Sequence, residues 1–239
     1  VSEEYSTDLF AREAVEFIER NKTRPFSLTV TFNAPHILRV VKPFHLIRKE
    51  YEEAQAAGKV FDIPKEPMAR PGEAVKYADQ FPGDNARADT VATIAALDEA
   101  VGRILDKLQA TGLDQKTIVF FLGDNGGHPE NRSENLPLRD YKWSFYEGGI
   151  RVPFLASYPG VFPAGVEYSK PVSSLDIFPT IAALTAIKPP TGLDGVNLTS
   201  FVNGGNAASP HEALYFSMNG AGAALVGAIL AVLILLWIK

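Results

Sequence analysis

The residues best suited to chemistry stand where apolar runs stop. Thr117-Ile118-Val119-Phe120-Phe121-Leu122 is a short run of β-branched and aromatic side chains. That pattern predicts a strand buried on both faces, as in parallel sheets. It ends at Gly123, and Asp124, Asn125, Gly126 and Gly127 follow at once. In an open α/β sheet, ligands bind beyond the carboxyl ends of the strands. A carboxylate beside a carboxamide there offers hard oxygen donors, which suit Ca²⁺ or Mg²⁺ better than zinc. The two glycines let the backbone turn away and leave room for a ligand. Asp, Asn and Gly are also the commonest turn formers, so Asp-Asn-Gly-Gly taken alone reads equally well as a turn.

Two more polar groups arrive in the same manner. Phe26-Ser27-Leu28-Thr29-Val30-Thr31-Phe32 alternates with period two and predicts a strand. It runs into Asn33-Ala34-Pro35-His36, so a second strand delivers polar residues at its carboxyl end. Lys142 lies among aromatic residues just before Gly148-Gly149. Its ammonium group can point into the same cleft as Asp124, or snorkel at the surface beside Trp143 and Tyr146.

The elements that must position these groups follow from periodicity. Residues 6–21 predict a helix with Ser6 or Thr7 as N-cap and an apolar stripe of Leu9, Phe10, Ala14, Phe17 and Ile18. Residues 37–88 are irregular, rich in Lys, Glu, Pro and Gly, with one short helical stretch near 47–57. They read as a long excursion over the carboxyl face. Residues 89–111 form the clearest helical pattern, closed by Gly112. This helix leads directly into the strand at Thr117, the αβ half of a βαβ unit. Residues 152–158 predict another strand and 173–186 another helix, in which Asp176 favours the macrodipole of the first turn, a structural role.

Composition narrows the classes. The chain has 239 residues, 46% hydrophobic and 21% charged, enough for one large α/β domain. A net charge of -5 without a basic cluster argues against nucleic acid as partner. There is no cysteine, which excludes disulfides, thiolate metal sites and a cysteine nucleophile within these residues. The start at Val1, with neither initiator Met nor signal pattern, is expected of a fragment or a processed form.

Taken together, several segments resemble the sulfatases of the alkaline-phosphatase superfamily. They are Asn33-Ala34-Pro35-His36, the helix Ala96-Leu97-Asp98-Glu99-Ala100-Val101-Gly102, Phe121-Leu122-Gly123-Asp124-Asn125-Gly126-Gly127, Pro137-Leu138-Arg139 with Lys142, Tyr146-Glu147-Gly148-Gly149-Ile150-Arg151-Val152-Pro153, and Ser173-Ser174-Leu175-Asp176-Ile177-Phe178-Pro179-Thr180. Their order matches as well, over about residues 5–216. The resemblance implies an alkaline-phosphatase-like three-layer α/β sandwich with a mostly parallel sheet, its N-terminal part missing. It implies an arylsulfatase-like sulfuric ester hydrolase whose formylglycine, made from a Cys or Ser in Cys/Ser-x-Pro-x-Arg, attacks sulfur while Ca²⁺ neutralises the sulfate oxygens. Asp124 and Asn125 resemble two of the family's metal ligands. His36 resembles the histidine that binds the sulfate and assists the leaving alcohol, and Lys142 the lysine that contacts the same sulfate. The substrate implied is a sulfate-ester small molecule or glycan, and the setting is periplasmic, extracellular or secretory. No Ser-x-Pro-x-Arg occurs in the chain. The resemblance therefore implies the carboxyl portion of a catalytic domain, inactive alone. The alternatives are a phosphoesterase of the same superfamily, or a membrane-tethered non-catalytic module that binds sulfated ligands.

The tail departs from the family pattern. Residues 221–238 are nearly all Ala, Gly, Val, Leu and Ile, closing on Trp237 and Lys239. The chain thus divides into a partial sulfatase-like domain at 1–216 and a hydrophobic tail at 217–239. The tail predicts a transmembrane helix or a membrane contact through 220–238. The competing expectation is a buried hairpin whose last strand is 234–239.

Overall fold

A computed structural model of the chain describes residues 4–36, 38–40, 49, 52–54, 56–58, 65–67, 69–214, 216 and 231–237. The first helix, α1 (Ser6–Asn21), buries Ala11, Ala14 and Ile18 along one face. Neither Ser6 nor Thr7 caps it: Tyr5 occupies the N-cap without a side-chain capping hydrogen bond, and Thr7 is 1% exposed. Strand β1 (Phe26–Phe32) follows, with the alternating burial its period required. The excursion supplies a two-stranded antiparallel pair, β2 (Leu38–Val40) with β3 (Lys65–Pro67), and most of the chain between them lies outside the described residues. After a single turn, α2 (Val75–Ala78), comes the long helix α3 (Asn85–Ala110).

Two local devices set the ends of α3. Asp84 accepts the Arg87 N–H at 3.1 Å, so the helix begins four residues before its apolar stripe predicted. At the far end Gly112 takes a left-handed backbone, φ 68°. The Gly112 and Leu113 N–H groups donate to Gln109 and Leu108 carbonyls at 3.0 and 2.9 Å. This is the Schellman arrangement, and it reverses the chain into β4 (Thr117–Gly123). Then come α4 (Glu147–Ile150), β5 (Phe154–Ser157), α5 (Ile177–Leu184), α6 (Thr199–Val202) and β6 (Ala231–Trp237).

Period two along β4 makes the layers. Val119 and Phe121 pack toward the cluster built by α1, β1 and α3, around Ile18, Phe32, Ala100, Ile104 and Leu108. Ile118, Phe120 and Leu122 pack toward Phe162 and Ile177. Helices therefore cover both faces of the sheet. The expected role of Asp176 is too small: the residue is fully buried and holds three segments together. It accepts the Ser173 and Val196 N–H groups at 2.7 and 2.8 Å, and His211 Nε2 lies 2.9 Å away.

The sheet differs from the expectation of mostly parallel strands. Its order is β1-β6-β4-β5, and every strand pairing among the described residues is antiparallel. β1 and β4 do run in the same direction, as a βαβ unit demands, but β6 lies between them and reverses both contacts. The same strand corrects the reading of the tail. Residues 231–237 form a strand within the sheet, and no helix among the described residues is long and apolar enough to cross a membrane. The remaining tail residues, 217–230, 238 and 239, lie outside the described residues.

Candidate active site

The carboxyl ends of β1 and β4 open onto a cavity of about 320 Å³. Pro35 and His36 enter it from the end of β1, Asn125 to His128 from the end of β4, and Lys142 and Trp143 from the loop before α4. Ile94 and Leu97 of α3 with Phe121 of β4 add an apolar part of the wall. Three of the four residues singled out in the sequence, His36, Asn125 and Lys142, thus line one cavity. Asp124 stands beside it rather than in its wall.

The loop that carries Lys142 is fastened to the end of β4 by backbone. The Lys142 N–H donates to the Gly127 carbonyl at 3.0 Å and the Gly126 N–H to the Gly149 carbonyl at 2.9 Å. Asn135 clamps both strands of this contact. Its Oδ1 accepts from the Gly127 N–H at 3.0 Å, and its Nδ2 donates to the Gly127 and Asp140 carbonyls at 3.2 and 3.0 Å. A Cβ on Gly126 would lie 1.7 Å from the Gly148 carbonyl oxygen, and one on Gly148 would lie 2.0 Å from that of Asp140. The room left by Gly126 is therefore filled by the backbone of α4, not by a ligand.

Asp124 is open to solvent at the residue level, yet the protein crowded around its carboxyl group disfavours the charge and lifts its pKa to about 6. Lys142 and the Asn125 N–H, 2.8 Å from Asp124 Oδ1, pull the other way. A carboxylate held in surroundings that resist its charge suits a neighbouring cation. Asp124 and Asn125 match Ca²⁺ in donor type, but two side chains fall well short of the roughly six to eight oxygens it takes. Among the described residues no group of three or more His, Cys, Asp or Glu completes such a set.

Among the cavity residues not singled out from the sequence are His128 and Trp143. His128 Nδ1 accepts the Glu130 N–H at 3.2 Å, and its ring meets Trp143 edge-on with centroids 4.8 Å apart. His128 directly follows Gly127 in the chain, and that adjacency to Asp124-Asn125 was the available signal.

Oxygen donors, a lysine and histidines are thus gathered beyond the strand ends of a sheet covered by helices on both faces. The chain belongs to the sulfatase family, whose model matches residues 1–187. Human arylsulfatase D is 28% identical over 222 residues, covering 89% of this chain and 31% of that protein. Rat steryl-sulfatase is 29% identical over 223 residues, covering 89% of this chain and 32% of that protein. The crystal structure of Ps i-CgsB in complex with k-i-k-neocarrahexaose superimposes with a TM-score of 0.66 at 30% identity, over 86% of this chain and 39% of that one. The chain spans about a third of the length of these curated relatives. The resemblance stated from the motifs is thereby shown at the level of the family.

Proposed function

We propose that this chain carries part of the active site of a sulfuric ester hydrolase acting on a sulfated glycan or a small sulfate ester. One observation carries the reading: His36, Asn125 and Lys142 come from three separate stretches of chain and line one cavity at the strand ends. In this reading Lys142 and His36 hold the sulfate oxygens, where a dispersed negative charge gains most from fixed cations and donors. His36 also stands ready to protonate the departing alcohol oxygen. Asp124 and Asn125 would hold a divalent metal, which supplies charge neutralisation at the sulfate. Further oxygen donors are needed to complete its shell. The 239 residues contain neither Cys nor Ser-x-Pro-x-Arg, so the nucleophile must come from outside them. The sulfated-glycan reading is supported by the structural relative solved with a neocarrahexaose.

The test is titration calorimetry of sodium sulfate into the full chain with Ca²⁺ present. Sulfate should bind, and Lys142→Gln or His36→Gln should weaken it by about tenfold, the usual value of one charge-assisted hydrogen bond. Nitrophenyl sulfate should not turn over. Unchanged sulfate affinity in both variants would refute the assignment.

A further inference from the structure

Trp143 is 65% exposed although it is the largest side chain in its loop, and its backbone sits at φ 73°, in the left-handed region. A bulky residue rarely adopts that conformation, and strain of this kind collects at ligand sites. The residue gains little core burial in exchange. Its ring instead lines the cavity, edge-on to His128, with Lys142 Nζ 6.0 Å from the ring centroid. Glu130, Asn131 and Ser133 line the same cavity.

We infer that Trp143 is a specificity-determining residue, a stacking platform for the pyranose ring that bears the sulfate. This rests on the sulfate-site reading of His36 and Lys142. The physical fit is direct. The C–H face of a pyranose is weakly positive and matches the negative face of an indole. The ring hydroxyls meet the carboxylate, carboxamide and hydroxyl of Glu130, Asn131 and Ser133. A flat aryl or steryl group would also stack, but it carries no ring hydroxyls to match these polar side chains. The sugar is therefore the better occupant.

The experiment compares galactose monosulfate, nitrophenyl sulfate and inorganic sulfate as ligands of the full chain by calorimetry with Ca²⁺ present. Trp143→Ala should weaken galactose monosulfate by about tenfold while inorganic sulfate binds as before. Trp143→Phe, which keeps a ring, should recover part of the loss, and circular dichroism should match for all three proteins. Equal weakening of sugar sulfate and inorganic sulfate would make Trp143 a support for Lys142 and His128 and overturn the inference. So would a larger loss for nitrophenyl sulfate than for the sugar. If the unaltered chain binds none of the three, the sulfate site itself fails, and the platform falls with it. If Lys142→Gln weakens all three while Trp143→Ala changes none, the site stands and the platform alone is refuted.

Discussion

Asp124 carries a charge that its surroundings resist. Its folded-state pKa of about 6 lies above the ordinary 3.8, so the folded chain binds this proton more tightly than the unfolded chain does. Stability from this group is present below about pH 4 and is lost as pH rises through 6. Asp124→Asn keeps an oxygen for the Asn125 N–H and removes the charge. In EDTA at pH 8 the variant should be more stable than the parent by about 1 kcal/mol, a figure kept small because the group is solvent-accessible. At pH 4 the two should melt together. Ca²⁺ should raise the melting temperature of the parent at pH 8 and leave the variant unmoved. A variant less stable than the parent at pH 8 would show that the carboxylate is already compensated. That His36 and Asn125 would meet was legible because each follows a strongly patterned strand, whereas Lys142 was picked out by its resemblance to the family motif. Trp143 was not, because an aromatic residue beside a lysine reads locally as packing, and only the fold places it in the wall of the cavity.

At the scale of elements, the site depends on two backbones that touch. Gly126 lets the end of β4 approach the short helix α4 until its N–H reaches the Gly149 carbonyl, and Gly148 lets α4 close on the carbonyls of Arg139 and Asp140. Gly126→Ala places a methyl against the Gly148 carbonyl, which backbone atoms can avoid only by separating. The expected cost is roughly 1–3 kcal/mol, typical of overpacking, read as a lower urea midpoint. Sulfate binding should fall with it, because Lys142 hangs from Gly127 through its own N–H. An alanine variant with parental midpoint and sulfate affinity would mean that α4 is not needed to place Lys142. The glycines were visible in the sequence, but their reason was not, since a contact between positions 126 and 148 leaves no local periodicity. By contrast α1 and β1 were read to the residue, because the apolar period and the breaking Asn21-Lys22-Thr23-Arg24-Pro25 are local signals. Asp176 was underread for the converse reason: its partner His211 lies 35 residues away.

For the molecule as a whole, the decisive strand is β6. β1 and β4 run in the same direction and are separated by one strand's place, about 10 Å between their axes. β6 fills that place, with Phe26 and Thr117 both opposite Trp237 and Phe32 and Gly123 both opposite Ala231. Hydropathy could not reveal this, because an unbroken apolar run is the signature both of a membrane helix and of a strand buried at the centre of a sheet. The two readings make opposite predictions for a chain cut after residue 216. Removing a membrane helix releases a soluble domain. Removing β6 takes the facing residue from seven positions on each of β1 and β4, with the ladder hydrogen bonds made at alternate ones, and leaves two facing unpaired edges. Such edges recruit other strands. The truncated chain should therefore elute as oligomers or precipitate in size-exclusion chromatography with light scattering, while the full chain stays in the aqueous phase without detergent. Its sulfate affinity should fall too, since His36 and Asn125 follow the two strands that β6 holds in register. A truncated chain that is monomeric, with unchanged circular dichroism and sulfate affinity, would remove β6 from the sheet.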